Sequence, residues 1–302
     1  MSFDINKLPS QKGRIAIITG SNIGLGYEAA LALAKKEMKI ILACRNTDKA
    51  NQAKNNILKA YSKADLEVIP LDLSKLASVR AFATSYLDKY TTLDVLMNNA
   101  GVMVPPYTET EDGFELQLGV NHLGHFLLTK LLMPAILATP NSRVVSLSSI
   151  AHRQGRINFD DLNSKKKYSA TSAYGQSKLA CLMFAYELQR RLDQAGIKQT
   201  ISTVAHPGVS NTNLSQHIPN WLRPIMFVLF SWATHVPANA AKPQVWAAIG
   251  DAQGGDFFGP TGMGEMKGKT GKVKARPHAH DQQVAKKLWE VSEQLIGEKF
   301  IL

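Results

Sequence analysis

Short apolar runs alternate along this chain with longer stretches in which apolar residues recur every three or four positions. Residues 14–20 (RIAIITG) form an apolar run closed by glycine, the composition of a strand buried on both faces. The Ala/Leu-rich stretch 27–36 then reads as a helix, 39–44 as a strand, 48–61 as a helix and 66–71 as a third strand. Helices are predicted over 78–90, 113–138 and 173–194, and strands over 93–97, 143–147 and 200–205. Pro134 lies inside the longest apolar helix, where it is expected to kink it. Strand and helix alternate throughout. That order predicts an α/β fold: a doubly wound, Rossmann-type parallel sheet with helices on both faces and right-handed crossovers. From Ser210 onward the rhythm loosens into an apolar stretch, a glycine-rich segment (Gly254–Gly255, then 259–264) and a last helix over 281–297. Segments of this kind near the strand ends are expected to cover a substrate pocket. No linker or repeat divides the chain, so a single domain spans 1–302, with a cofactor-binding and catalytic core over 13–212 and a lid and extension over 213–302.

Composition narrows the class. The 302 residues are 45% hydrophobic and 20% charged, ordinary for a globular protein with an ample core. The two cysteines, Cys44 and Cys181, fall in apolar runs and read as reduced core residues rather than a disulfide framework. The first residues have no apolar secretory core. Together these features lead to the expectation of a cytoplasmic protein. No run is long enough to span a bilayer. The nearest, Pro224 to Ala233, is about half a span and reads as a buried or substrate-covering helix, with peripheral membrane contact as the alternative. The net charge of +11 favours anionic partners. Its concentrations, Lys165–Lys167 and the 267–287 tail, lack interleaved aromatics and any nucleic-acid motif, so they read as solvated surface that helps attract a polyanionic cofactor.

The chemistry is concentrated at the predicted strand ends. Thr19-Gly20-Ser21-Asn22-Ile23-Gly24-Leu25-Gly26 joins the first strand to the first helix. Its glycines let the backbone approach a pyrophosphate, and the helix N-terminus offers free N–H groups. Arg45 ends the second strand, where an acidic residue would bind a ribose 2′-hydroxyl and an Arg accommodates a 2′-phosphate; this favours NADP over NAD. Asp72-Leu73 ends the third strand, its carboxylate open either to an adenine amino group or to capping the next helix. Asn98-Asn99-Ala100-Gly101 ends the fourth, with amides that can satisfy the strand-end backbone beside the cofactor. Asn121, set among apolar helix positions, is either a satisfied structural amide or the holder of a water in a proton path. His122 and His125 beside it have no zinc-ligand spacing, and no metal is expected. Ser148 and Ser149 end the fifth strand, where a hydroxyl can bind a carbonyl oxygen, and neither lies in a hydrolase nucleophile elbow. Pro207-Gly208-Val209, with Thr212, follows the sixth strand and can meet a cofactor amide or phosphate. Tyr174 and Lys178 stand four residues apart on one helix face. A fixed ammonium beside a phenol favours the phenolate, which suits proton exchange with a carbonyl or alcohol.

These motifs, taken together and in this order over residues 13–212, resemble the short-chain dehydrogenase/reductase family. Ala43-Cys44-Arg45 and the 157–163 stretch are similar to its retinol-dehydrogenase-like and carbonyl-reductase-like branch. The resemblance implies a catalytic tetrad of Asn121, Ser149, Tyr174 and Lys178, with Ser148 as the reserve for Ser149. It implies reduction of a hydrophobic ketone or aldehyde by NADPH, or the reverse oxidation, with Lys178 also bonding the nicotinamide ribose and Asn121 anchoring a relay water. The interval from Ser149 to Tyr174 is longer than in compact members, so neither a monomer nor a homo-oligomer is implied. The alternative from another class is a non-catalytic NADP-binding sensor or partner-binding protein; nucleic-acid binding is not expected.

Overall fold

The computed structural model describes residues 4–208 and 237–302; the apolar stretch 224–233, together with Val209 and Thr212, lies outside the described residues. Six parallel strands follow the predicted order: β1 (Ile15–Thr19), β2 (Lys39–Cys44), β3 (Leu66–Pro70), β4 (Val95–Asn98), β5 (Ser142–Leu147) and β6 (Thr200–Ala205). Between them run helices α1 (Gly24–Ala34), α2 (Thr47–Ala60), α3 (Leu76–Leu87), α4 (Gly124–Leu137) and α5 (Ala170–Gln194). Alternation along β1 shows why the sheet is covered on both sides. Ile15 and Ile17 enter one apolar cluster with Phe82, Phe126 and Phe184, whereas Ala16 and Ile18 enter another with Ala29, Leu33 and Val245.

Three features depart from the sequence expectation. The helix predicted over 113–138 begins instead with a short turn at Leu116–Leu118 and a π-turn at Gly119–Leu123, in which the Gly124 N–H bonds five residues back to the Gly119 carbonyl. Helix α4 then continues through Pro134 to Leu137. The glycine-rich segment, read as irregular, supplies two further strands, β7 (Phe257–Gly262) and β8 (Lys267–Lys272), after a helix α6 at Lys242–Ile249. β7 pairs in parallel with β6, and β8 turns back antiparallel to form a lysine-bearing edge, so the sheet is not wholly parallel. The basic tail therefore contains a strand, and its final helix α7 (Gln282–Ile296) is capped by the Asp281 carboxylate and closed by Gly297 at φ +75°.

α7 and the residues after it pack on the outer side of α4 and α5. Trp289 and Phe300 meet Phe126 with ring centroids 4.9 and 5.4 Å apart, and Trp289 stacks on Phe184 at 5.7 Å. Among the described residues no helix is long and apolar enough to cross a membrane. The sheet order is β3-β2-β1-β4-β5-β6-β7-β8. The order in which strands are added reverses between β1 and β4, which opens a crevice at the carboxyl ends of those strands.

Candidate active site

The crevice is held open by contacts across the switch point. Thr19, the last residue of β1, accepts the N–H groups of Asn99 and Ala100 on its Oγ1, both at 2.9 Å, and Asn99 Nδ2 donates to the Thr19 carbonyl at 2.7 Å. The Asn99 amide thus satisfies strand-end backbone. Thr19 opens the glycine motif of the sequence, and a hydroxyl at the end of an apolar strand opposite Asn-Asn-Ala-Gly is the signal for this further role. The glycine turn is shaped by two close approaches. Gly20 sits at φ +66°, and a Cβ on it would lie 3.0 Å from Ala100; a Cβ on Gly26 would lie 2.5 Å from Asn99 Nδ2. Ile23 is the N-cap of α1 and its apolar side chain bonds to nothing there, so no side chain claims the first-turn N–H groups. A cradle of bare backbone at a helix N-terminus fits a pyrophosphate.

Two adjoining clefts share this turn. The outer one, about 360 Å³, is lined by Gly20, Asn22, Arg45, Asp72 and Leu73 on one side and by Val102, Met103 and Leu116 on the other. Arg45 is exposed and has no partner among the described residues. Asp72 does not cap α3: its Oδ1 accepts from the Ser74 N–H at 3.0 Å and hydroxyl at 2.6 Å, while the cap position belongs to Lys75 and the Leu76 N–H goes to Asp112. The carboxylate turns the chain off β3 instead.

The inner cleft, about 290 Å³, runs from the glycine turn (Gly20, Asn22 to Gly26) past Asn99, Ala100 and Gly101 to Ser148, Tyr174, Lys178 and Pro207. Tyr174 and Lys178 do share one face of α5, with Lys178 Nζ 5.9 Å from the phenol ring centre. Lys178 is buried and donates to the Leu147 carbonyl at 3.1 Å. Tyr174 is half-buried, and its hydroxyl has no partner among the described residues. Ser148 spends its hydroxyl proton on the Lys178 carbonyl at 2.8 Å. Ser149 accepts from the Ala151 N–H at 3.2 Å, which leaves its own proton uncommitted.

Asn121 stands in the π-turn. Its Oδ1 accepts from the Val102 N–H at 2.8 Å, and its Nδ2 donates to the Val102 carbonyl at 3.0 Å and to Ser177 Oγ at 2.9 Å. Both amide protons are thus committed to the chain. The main-chain carbonyl of Asn121 receives His125 Nδ1 and Cys181 Sγ, each at 3.0 Å. His125 therefore carries its proton on Nδ1, and its Nε2 faces Thr19 Oγ1 at 2.9 Å, linking the cofactor turn to the π-turn. Burial pushes His125 down to about 4, helped by the Lys178 charge, and His122 down to about 3. Cys44 and Cys181 are free and buried.

Residues 14–223 match the short chain dehydrogenase family. The chain belongs to that family. Short-chain dehydrogenases are oxidoreductases that use a nicotinamide cofactor, and this one is of the retinol-dehydrogenase-like kind. It is 41% identical over 301 residues to mouse retinol dehydrogenase 14, covering 94% of this chain and 86% of that one. It is also 41% identical over 298 residues to human retinol dehydrogenase 13, at 94% and 85% coverage. Among solved structures, an uncharacterized protein from Mycobacterium paratuberculosis superposes over 100% of both chains with a TM-score of 0.83 and 41% identity. The Pseudomonas aeruginosa RhlG/NADP complex, at 24% identity and a TM-score of 0.66 over 82% of this chain and 94% of its own, shares the fold of this short-chain dehydrogenase.

Proposed function

We propose that this short-chain dehydrogenase interconverts a hydrophobic ketone or aldehyde and its alcohol with NADP(H). The observation that carries the reading is the inner cleft, where a phenol with an uncommitted hydroxyl stands beside a buried ammonium at the end of a glycine cradle. When bound, the nicotinamide cofactor supplies or accepts the hydride. Gly20, Ser21, Asn22, Ile23, Gly24, Leu25 and Gly26 hold its pyrophosphate with backbone N–H groups. Asp72, Leu73, Asn99, Ala100, Gly101, Pro207 and Gly208 line its path. Arg45, free and exposed at the outer end, meets a 2′-phosphate, and no carboxylate follows it directly to repel one.

In reduction, Tyr174 gives its phenolic proton to the substrate oxygen. Lys178 balances the negative charge left on the ring oxygen. Ser149 donates its uncommitted proton in a hydrogen bond to the same oxygen; Ser148, which lines the cleft and gives its proton to the Lys178 carbonyl, is the reserve for that role. Asn121 holds Val102, and with it the wall that Val102 and Met103 present to both clefts. That wall is apolar, and the mouse and human relatives are named for retinol, an apolar alcohol. Both support a hydrophobic substrate.

The test is the loss of NADPH or NADH absorbance against a panel of apolar aldehydes and ketones. Turnover with NADPH well above that with NADH is expected. Tight NADPH binding with no turnover of any member would favour the sensor reading instead.

A further inference from the structure

A second set of polar groups lies at the Pro207 end of the inner cleft and takes no part in the chemistry above. His206, which follows β6, is completely buried. Its Nδ1 accepts the Gly208 N–H at 3.2 Å, so its proton sits on Nε2, which donates to Glu265 Oε2 at 3.0 Å. The other carboxylate oxygen of Glu265 meets the Arg153 guanidinium at 2.8 Å, and Arg153 also donates to the Gly264 carbonyl at 3.0 Å. Three separate segments meet here. Arg153 ends the turn Ile150–Arg153, which Ser149 caps. His206 precedes Pro207, a wall residue of the inner cleft. Glu265 belongs to the connection between β7 and β8.

Two further observations show that this carboxylate is held in place. Glu265 sits at φ +67°, in the left-handed region where glycine is at ease and a glutamate is not. The packing around it has no slack: a Cβ on Gly259 would lie 2.2 Å from His206 Nε2, and a Cβ on Gly208 would lie 2.4 Å from the Met266 carbonyl oxygen. Burial alone would raise the Glu265 carboxyl, but the His206 bond and the Arg153 charge override it and hold it below the usual carboxylate range.

We propose that Glu265 is a positioning residue for cofactor binding, fixing the Pro207–Gly208 turn through His206 and the Ser149 turn through Arg153. The inference rests on the reading of the inner cleft as the nicotinamide site. Its test uses the full chain and four readouts: NADPH affinity by calorimetry, KM for NADPH against KM for the carbonyl, melting temperature, and hydrogen exchange at the Gly208 amide in the nucleotide-free protein. Glu265→Ala is expected to weaken NADPH binding about tenfold, raise KM for NADPH more than that for the carbonyl, and speed Gly208 exchange. Glu265→Gln keeps an acceptor for His206 Nε2–H and is expected to recover most of the affinity. Arg153→Met, which frees the carboxylate from one anchor, carries the same expectation at a few-fold size and decides the question if Glu265→Ala does not fold. Unchanged NADPH affinity and Gly208 exchange with a lowered melting temperature would overturn the inference alone. A wild-type protein that binds neither nicotinamide nucleotide would overturn the reading of the site, and this inference with it.

Discussion

At the outer end of the crevice Arg45 stands exposed and, among the described residues, unpartnered, and the backbone of the glycine turn forms the floor. At the inner end Lys178, Asn121 and Ser148 are each tied to main-chain groups within 3.1 Å, and the histidines beneath them are buried. The outer end can recognise its ligand without being needed for folding. The inner end has its reactive side chains built into the core, where an unmet hydrogen bond costs about 1–3 kcal/mol. The Tyr174 and Ser149 hydroxyl protons are left over from this wiring, and the proposed reaction uses both.

The comparison is most severely tested by Tyr174→Phe. The hydroxyl has no partner among the described residues, so its loss should leave melting temperature and NADPH affinity nearly unchanged while turnover falls about 10³-fold. A matching loss of cofactor affinity would remove Tyr174 from the role of proton donor.

Acid probes the buried side of the inner end. His122, at about 3, and His125 and His152, at about 4, lie below the unfolded value of about 6.5, each chiefly through burial. Between about pH 4 and 6.5 the unfolded chain binds more protons than the folded one, so stability rises with pH across that window and is lost as pH falls through it. Lowering the pH from 7 to 5 should cost roughly 2 kcal/mol per histidine, read as a drop in urea midpoint. An unchanged midpoint would mean that these rings are not held neutral.

The smallest expected effect belongs to the outer end. Arg45→Asp should weaken NADPH binding by about tenfold or somewhat more, the size of one charge-assisted contact, while NADH binding and melting temperature hardly move. Equal losses for the two nucleotides would take Arg45 out of the phosphate site.

The first six strands were legible to within two residues because each is a short apolar run closed by a turn. β7 and β8 were not: Phe-Phe-Gly-Pro-Thr-Gly and Lys-Gly-Lys-Thr-Gly-Lys carry loop composition and become strands only because β6 offers Phe257 and Phe258 an open edge. The π-turn at 119–123 leaves no mark in an apolar periodicity. The motif residues of the site were visible because their chemistry is tied to short spacings. The bond between Thr19 and His125 left no signal there, nor did the Arg153–Glu265–His206 group, whose members lie up to 112 positions apart and meet only once the sheet has formed. Such pairings are set by topology, which local sequence does not encode.

The position of α7 bears on how the chain reaches this state. Phe126 and Phe184 find their aromatic partners in Trp289 and Phe300, and the Arg80 guanidinium bonds to the Ile296 carbonyl 216 positions away. A polypeptide released from the ribosome in order must therefore carry the outer faces of α4 and α5 bare until nearly all of it has emerged. Contacts of such long separation form slowly, and the waiting surface is apolar. Chaperone demand during synthesis should thus track the time taken to translate from Phe184 to Phe300.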